Sequence, residues 1–157
     1  MGIAYRDLAK AYAIHLSQLG QNSVEVAHDQ RLLGVIYTEL LDHMNAMEQN
    51  QLSKKILEIW GMSSDLIFTE IHAANIQIAV GKYDEAIKTL KGVCRQTEKD
   101  SEIRALVFIS MAMALWNQEK FVEATGCLEI SCDVLEPSKV AELYMEISSL
   151  YGDIISL

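Results

Sequence analysis

The sequence predicts an all-α protein of about eight helices, arranged as antiparallel pairs that stack into a right-handed α-solenoid. Apolar residues recur at intervals of three and four, as at Ile109, Met113 and Trp116, and this is the period of a helix. Alternation of polar and apolar residues, which would indicate a strand, never reaches strand length. Small residues recur at longer, nearly constant intervals, which is typical of stacked helix pairs.

Two small residues recur in each repeating unit of the sequence. One set is Ala46, Ala86 and Ala124, whose members are 40 and 38 residues apart, and the other, twelve residues upstream, is Gly34, Ala74 and Ala112. A small side chain on each of two neighbouring helices lets their backbones approach closely. We therefore expect both sets to be buried where paired helices cross.

Turn residues divide the chain into eight periodic segments. The predicted helices cover residues 3–19, 24–40, 43–60, 64–80, 83–98, 101–117, 121–135 and 138–151. Asn22 precedes the second helix, and Glu25 follows it at the spacing of a capping box. Asp100 or Ser101 can cap the sixth helix, and Pro137 suits the first turn of the eighth.

The whole chain, residues 1–157, is predicted to form one domain. A chain of 157 residues is long enough to bury a core without a metal or a disulfide. The repeat divides it into a half repeat at 3–19, repeats at about 24–60, 64–98 and 101–135, and a half repeat at 138–151. Apolar residues near the end then lack a following helix, so we expect an uncapped C-terminal face that favours self-association.

The charge of the chain disfavours two classes of partner. With 13 Lys and Arg against 22 Asp and Glu, the net charge is −9, which opposes binding to nucleic acids and to anionic membrane surfaces. The longest uncharged run, residues 105–118, is shorter than the ~20 residues that a membrane-spanning helix needs. The N-terminal residues lack the pattern of a secretory signal, so a cytoplasmic location is expected.

No arrangement of residues in the sequence indicates catalysis or cofactor binding. The four histidines include no His-Glu-x-x-His motif, and glycine-rich phosphate loops and the Gly-x-Ser-x-Gly elbow are absent. His28 and Asp29 are adjacent, but neighbours on a helix point about 100° apart and do not form a catalytic pair. Cys94, Cys127 and Cys132 have small or apolar neighbours and are expected to be reduced, mostly buried thiols. The sequence therefore predicts a non-enzyme without cofactor or metal.

The repeating residues resemble those of a known family. They are Gly34, Tyr37 and Ala46 in one helix pair and Gly81, Tyr83 and Ala86 in the next, and this pattern is similar to tetratricopeptide repeats. The stretches 22–37 and 96–111 resemble, more closely, the plant kinesin-light-chain-related proteins. Members of that family carry further repeats, so the resemblance implies a fragment of a longer protein or a shortened form.

The resemblance also implies a concave groove formed by the first helix of each pair. By position, the groove residues are Arg31, Phe68, Ile71, His72, Asn75, Ile78, Ile109, Met113 and Trp116. The middle of this set is apolar, which favours a partner segment with apolar anchors. For any one of these residues, and for Trp116 in particular, a place in the core is the alternative.

The function implied by the resemblance is that of a non-catalytic scaffold or adaptor for proteins. Family members resemble microtubule-associated scaffolds that engage basic, calmodulin-binding cytoskeletal proteins, so a cytoplasmic location at the cytoskeleton is expected, without membrane insertion. The acidic surface would attract basic partners. The alternative function is that of a regulatory subunit that binds and modulates a folded enzyme through its repeat surface.

Overall fold

The computed structural model describes residues 2–151, and within them all regular structure is helical. The eight helices of this range are α1 (Gly2–Leu19), α2 (Val24–Glu39), α3 (His43–Ile59), α4 (Ser63–Ala79), α5 (Tyr83–Cys94), α6 (Glu102–Asn117), α7 (Phe121–Cys132) and α8 (Pro137–Tyr151). The predicted all-helical repeat fold is thus confirmed. Residues 152–157, which sequence analysis places at the C-terminal face, lie outside the described range. No helix in the described range is long and apolar enough to cross a membrane.

The chain divides into two compact units, residues 1–73 and 74–157, and the division falls within α4. In the first unit, α2 packs against both α1 and α3. Val26 and Ala27 of α2 form a buried cluster with Ile56 and Leu57 of α3, and Tyr12 of α1 packs against it. This apolar contact and the short turn between α2 and α3 hold the two helices together as a pair.

In the second unit, α6 packs against three helices, α5, α7 and α8. Its side chains Ala112 and Leu115 form a buried cluster with Ala124 of α7. Ile87 of α5 and Tyr144 of α8 pack against that cluster. Because α6 touches neighbours on several sides, nine of its residues are buried.

Serine side chains cap the two helices that begin each unit's main pair. Ser23 Oγ accepts a hydrogen bond from the Val26 amide at 3.2 Å, and Ser101 Oγ accepts one from the Arg104 amide at the same distance. The predicted cap Asn22 is therefore replaced by the next residue, Ser23. Both serines satisfy an amide that the first turn of a helix leaves without a partner.

The turns inside the helix pairs each contain a residue with left-handed backbone geometry. Gly81 occupies this place between α4 and α5, with φ of 82°. Leu41 and Glu119 occupy it in the other two pairs, with φ of 61° and 62°. A non-glycine residue in this region carries a steric cost of roughly 1–2 kcal/mol, because its Cβ crowds the following carbonyl.

The predicted crossing residues are buried, which confirms that expectation. Ala46, Ala86 and Ala124 are at most 1% exposed, and Gly34, Ala74 and Ala112 are buried as well. The sequence does not predict a hydrogen bond that recurs between the two helices of a pair, once between α3 and α2 and once between α7 and α6. Ser53 Oγ of α3 donates to the Ala27 carbonyl of α2 at 2.9 Å, and Ser131 Oγ of α7 donates to the Ala105 carbonyl of α6 at 3.0 Å.

Helix α5 ends at Cys94, four residues before the predicted end. The Gln96 amide donates to the Val93 carbonyl, and the Thr97 amide and hydroxyl donate to the Cys94 carbonyl. These bonds tighten the last turn and satisfy carbonyls that the helix end leaves open.

Of the three cysteines, Cys94 is partly buried as expected, whereas Cys132 is exposed. Cys132 directly follows Ser131, the last buried residue of α7. Neighbours on a helix point about 100° apart, so Cys132 faces solvent.

Candidate functional site

Arg31 lies on α2 beside the start of α4 in the first unit. Its Nη1 atom is 3.5 Å from Asp65 Oδ1, and His28 Nε2 is 3.9 Å from the other oxygen of the same carboxylate. These groups are partly exposed, so each pair contributes little to stability, typically ~0–1 kcal/mol. Arg31 is thus accessible to a partner, while its charge is already partly compensated by Asp65.

His72 is the hub of a buried polar network in the first unit. Thr38 Oγ1 donates to the Gly34 carbonyl at 2.9 Å and also lies 3.0 Å from His72 Nε2. Because the hydroxyl proton is used on Gly34, Nε2 carries the ring proton and donates to Thr38. Nδ1 then accepts from Asn50 Nδ2 at 3.4 Å. The ring therefore links α2, α3 and α4 in its neutral form.

The charge state of His72 agrees with this network. Burial, together with the positive charges of Arg31 and His43, lowers the pKa of His72 to about 4. The imidazole is consequently neutral at pH 7. His72 therefore belongs to a structural contact between helices. A partner could reach its ring only if the side chain of Thr38 or Asn50 moved.

Phe68 and Ile71, also predicted groove residues of the first unit, differ in accessibility. Phe68 is 42% exposed on α4, whereas Ile71 is buried. A large aromatic side chain at a protein surface is a common anchor for a protein partner. In the first unit, then, Phe68 and Arg31 are the predicted residues that present side-chain surface to solvent.

Most of the predicted groove residues of the second unit are buried. Ile78 of α4 and Ile109 and Met113 of α6 are at most 2% exposed, so they belong to the core. The burial of Ile109 and Met113 follows from the packing of α6 against several helices. Asn75 is also buried, and its side-chain oxygen has no hydrogen-bond partner among residues 2–151.

Trp116 is the predicted residue of the second unit that remains accessible. It is 49% exposed, so its side chain is not part of the core. It packs edge to face on Phe121, the first residue of α7, with ring centroids 4.6 Å apart and an interplanar angle of 67°. Phe121 is itself 46% exposed. We call these two residues the aromatic pair.

Phe121 was not predicted as a site residue. In the sequence it stands where Tyr83 stands in the preceding repeat, and this position indicates a repeat residue rather than a site residue. Its contact with Trp116 crosses the turn between α6 and α7. The five-residue separation of two large aromatics across a short turn is the signal that indicates such a pair.

An acid–base pair that sequence reasoning missed joins α1 to α2. Asp29 is buried, and its Oδ2 atom lies 2.5 Å from His15 Nδ1. One residue on, Gln30 Nε2 donates to the Tyr12 hydroxyl at 3.3 Å, also between α1 and α2. Among residues 2–151, no hydroxyl or thiol lies within hydrogen-bonding distance of His15, so the pair lacks a nucleophile to activate. Its contacts are those of a structural link.

The described residues also offer no metal centre, since no group of three or more His, Cys, Asp or Glu side chains converges among them. The fold and its recurring crossings define the class of the molecule. It is an all-helical protein of recurring helix pairs, and these pairs resemble tetratricopeptide repeats.

A comparison with known proteins agrees with that class. The chain is similar to protein kinesin light chain-related 3 of Arabidopsis thaliana, with 26% identity over 148 residues. The match covers 92% of this chain but 23% of the relative, so the chain spans about a quarter of the relative's length. No family model matches the sequence. The resemblance to the plant kinesin-light-chain-related proteins is therefore confirmed as a resemblance over nearly the whole chain.

Proposed function

We propose that the chain is a non-catalytic scaffold or adaptor that binds a segment of a partner protein and associates with the cytoskeleton. The observation that carries this proposal is the aromatic pair, Trp116 and Phe121, which keeps nearly half of each ring system exposed. Tryptophan is enriched among residues that dominate binding energy at protein interfaces. The similarity to a kinesin-light-chain-related protein supports a cytoskeletal partner.

The charge of the molecule supports a basic partner. The net charge of −9 would speed association with a positively charged protein, and salt would weaken that attraction. Phe68 and Arg31 of the first unit are further proposed contacts, whereas the buried groove residues would act by supporting the helices that carry them. Self-association through α8, where Met145 is 71% exposed, is a part of the same proposal.

The experiment uses the two tryptophans of the chain as a matched pair. Trp60 is 57% exposed in the first unit, so Trp60→Ala removes the same type of side chain from an accessible place that is not part of the aromatic pair. The tagged chain and both variants are used to capture proteins from an Arabidopsis extract, and taxol-stabilised microtubules are then tested for co-sedimentation with the captured complexes.

We expect basic cytoskeletal proteins to be captured by the unmodified chain and by Trp60→Ala, and to be reduced by about tenfold or more with Trp116→Ala. Thermal unfolding of each variant is measured in parallel. A single stoichiometric metabolic enzyme in place of cytoskeletal proteins would favour the regulatory-subunit alternative. Equal capture by both variants would contradict the role of the aromatic pair.

A further inference from the structure

A cleft lined by basic side chains lies in the second unit, between α5, the end of α6 and the start of α7. Its volume is about 610 Å³, and its lining includes Lys88, Lys91, Arg95 and Lys120. These are four of the 13 lysines and arginines in a chain whose net charge is −9. None of the nine predicted groove residues lines this basic cleft, so it is a separate surface.

The four basic side chains have no acidic partner among the residues that the structure describes. Within residues 2–151, none of them forms an ion pair, whereas Lys54 reaches Glu70 at 2.7 Å. Asp84 and Glu123 also line the basic cleft, and Asp84 Oδ1 already accepts a hydrogen bond from Gln118 Nε2 at 2.7 Å. Four cations against two carboxylates leave the basic cleft with an excess of positive charge.

The floor of the basic cleft is apolar and open. Ile87 and Leu115 line it, and Leu115 is buried. Gly92 of α5 also lines it, and apart from its chain neighbours and the adjacent backbone of its own helix, a Cβ added there would meet no described atom within 4 Å. Glycine inside a helix costs up to about 1 kcal/mol relative to alanine, and no close neighbour requires it here. The missing side chain leaves space beside the lysines.

We propose that this basic cleft binds an extended segment of another protein that carries clustered carboxylates or phosphates. Lys88 lies in α5, and Arg95 is the C-cap residue that directly follows the helix with helical backbone angles. Their separation of seven residues corresponds to about 10 Å at 1.5 Å per residue. Alternate side chains of an extended chain are about 7 Å apart. Two negative side chains at alternate positions therefore fit along the row of Lys88, Lys91 and Arg95, and Lys120 lines the cleft from the turn before α7.

A segment of protein fits the basic cleft better than a nucleic acid does. The volume lies within the range of roughly 300–1,000 Å³ that compact ligand sites have, whereas a duplex would also approach the acidic remainder of the chain. Positive charge on a partly apolar floor binds carboxylates and phosphates more strongly than the same charge in open water, because the effective dielectric is lower.

The experiment measures binding of short fluorescent peptides to the full chain by anisotropy. One peptide alternates glutamate with serine, a second has glutamine in place of glutamate, and a third has phosphoserine in place of glutamate. We expect the first to bind and the second to fail. Tighter binding of the third peptide would show that phosphate is the preferred charge. Equal affinities of the first and third peptides would show that carboxylate is sufficient. An oligothymidylate of the same charge as the first peptide is compared as well.

Two pairs of variants separate the basic cleft from general charge effects. Lys88→Gln with Lys91→Gln should weaken binding of the glutamate peptide about tenfold. Lys82→Gln with Lys99→Gln changes the net charge equally at exposed places outside the cleft and should change affinity less than about twofold. Gly92→Phe should fill the cleft and weaken binding without a change of charge, whereas Gly126→Phe, at a helical glycine outside the cleft with equally open surroundings, should not.

Circular dichroism and thermal unfolding of each variant establish that the helices are retained. The proposal is overturned if the glutamate peptide does not bind, if both lysine double variants lose affinity equally, or if Gly92→Phe binds as the unmodified chain does. Oligothymidylate that binds as tightly as the glutamate peptide would also overturn it in favour of a nucleic-acid site.

Discussion

The helix pairs α2–α3 and α6–α7 share the positions that fix their backbone geometry. Equivalent residues are 78 positions apart, and three such places have the same local arrangement in both pairs. They are the capping serines Ser23 and Ser101, the left-handed turn residues Leu41 and Glu119, and the buried hydroxyl donors Ser53 and Ser131. A small number of residues thus reproduces the same helix pair in two parts of the chain.

The interiors of the two pairs are chemically different. Asp29, Thr38 and Asn50 are buried polar residues of the first pair, and each makes a hydrogen bond. In the second pair the residue equivalent to Thr38 is the exposed Trp116, and the buried residues of α6 are mainly apolar, as at Ile109. Besides its apolar cluster, the first pair has buried polar contacts to α1 and α4, whereas the interior of the second pair is mainly apolar.

The same helix-pair geometry therefore forms around different sets of buried side chains. Buried polar groups must find partners and are sensitive to their charge state, whereas an apolar core is sensitive to volume. The first pair should therefore respond to pH and the second to loss of side-chain volume.

The largest effect is expected from Ile109→Ala, compared with Arg31→Ala at the equivalent position of the first pair. Ile109 is fully buried, so its truncation should lower the free energy of unfolding by about 2–5 kcal/mol. Arg31 makes a partly exposed contact with Asp65, and its removal should cost less than about 1 kcal/mol. Urea denaturation of the two variants measures both values. Similar losses would show that the interiors are alike after all.

The second prediction concerns pH and the first pair. The pKa of His72 is lowered to about 4 in the folded chain, mainly by burial, against an ordinary value of 6.5. Between these two values the His72 side chain is protonated in the unfolded chain but not in the folded chain. The free energy of unfolding therefore falls as pH decreases from about 6.5 to about 4. The difference between the two pKa values corresponds to about 3 kcal/mol of free energy of unfolding, and this contribution is fully lost below pH 4.

His72→Gln provides the control for this pH dependence. The variant retains a side chain that can hydrogen-bond to Thr38 but does not titrate in this range. We expect its free energy of unfolding, measured at several values between pH 7 and 4, to fall less steeply than that of the unmodified chain. Parallel pH profiles for the two proteins would contradict the assignment.

Sequence alone predicts much of this backbone but less of its interior. Periodicity and turn residues place α1 to α4 within one or two residues of their ends, and the spacing of Ala46 and Ala124 identifies the crossings. The left-handed Leu41 is not predictable from residue type, because leucine disfavours that geometry. It is imposed by the pairing of the helices on both sides of the turn.

The candidate site is predicted less well than the fold because α6 is apolar on every side. Periodicity then cannot tell a core face from an exposed face, so Met113 and Trp116 receive the same interpretation although one is buried and the other accessible. His72 is a different case. Its burial depends on Thr38 and Asn50, which come from two other helices and are brought near only by the tertiary fold.

The third prediction tests a feature that the two pairs share. Ser53→Ala and Ser131→Ala each remove a buried hydroxyl that donates to a carbonyl of the paired helix, and each should cost about 1 kcal/mol. Ser149→Ala is the control, because that hydroxyl donates to Glu146 within its own exposed helix, and it should cost less than about 0.5 kcal/mol. A loss at only one of the two buried serines would show that the shared bond matters in one pair alone.

The smallest effect is expected from Gly34→Ala, which gives α2 the residue that α6 has at Ala112. A Cβ added at Gly34 would lie 3.5 Å from the Ala46 carbonyl oxygen and 3.6 Å from His72 Cε1, and both are ordinary van der Waals distances. Alanine has the higher helix propensity, because glycine loses more backbone freedom on folding. The substitution should therefore raise the free energy of unfolding by about 0.5–1 kcal/mol, and Ala112→Gly should lower it by a similar or larger amount. Thermal and urea denaturation measure both changes. A loss of stability in Gly34→Ala would mean that the first pair needs a closer helix approach than the second, and that the two crossings are not equivalent.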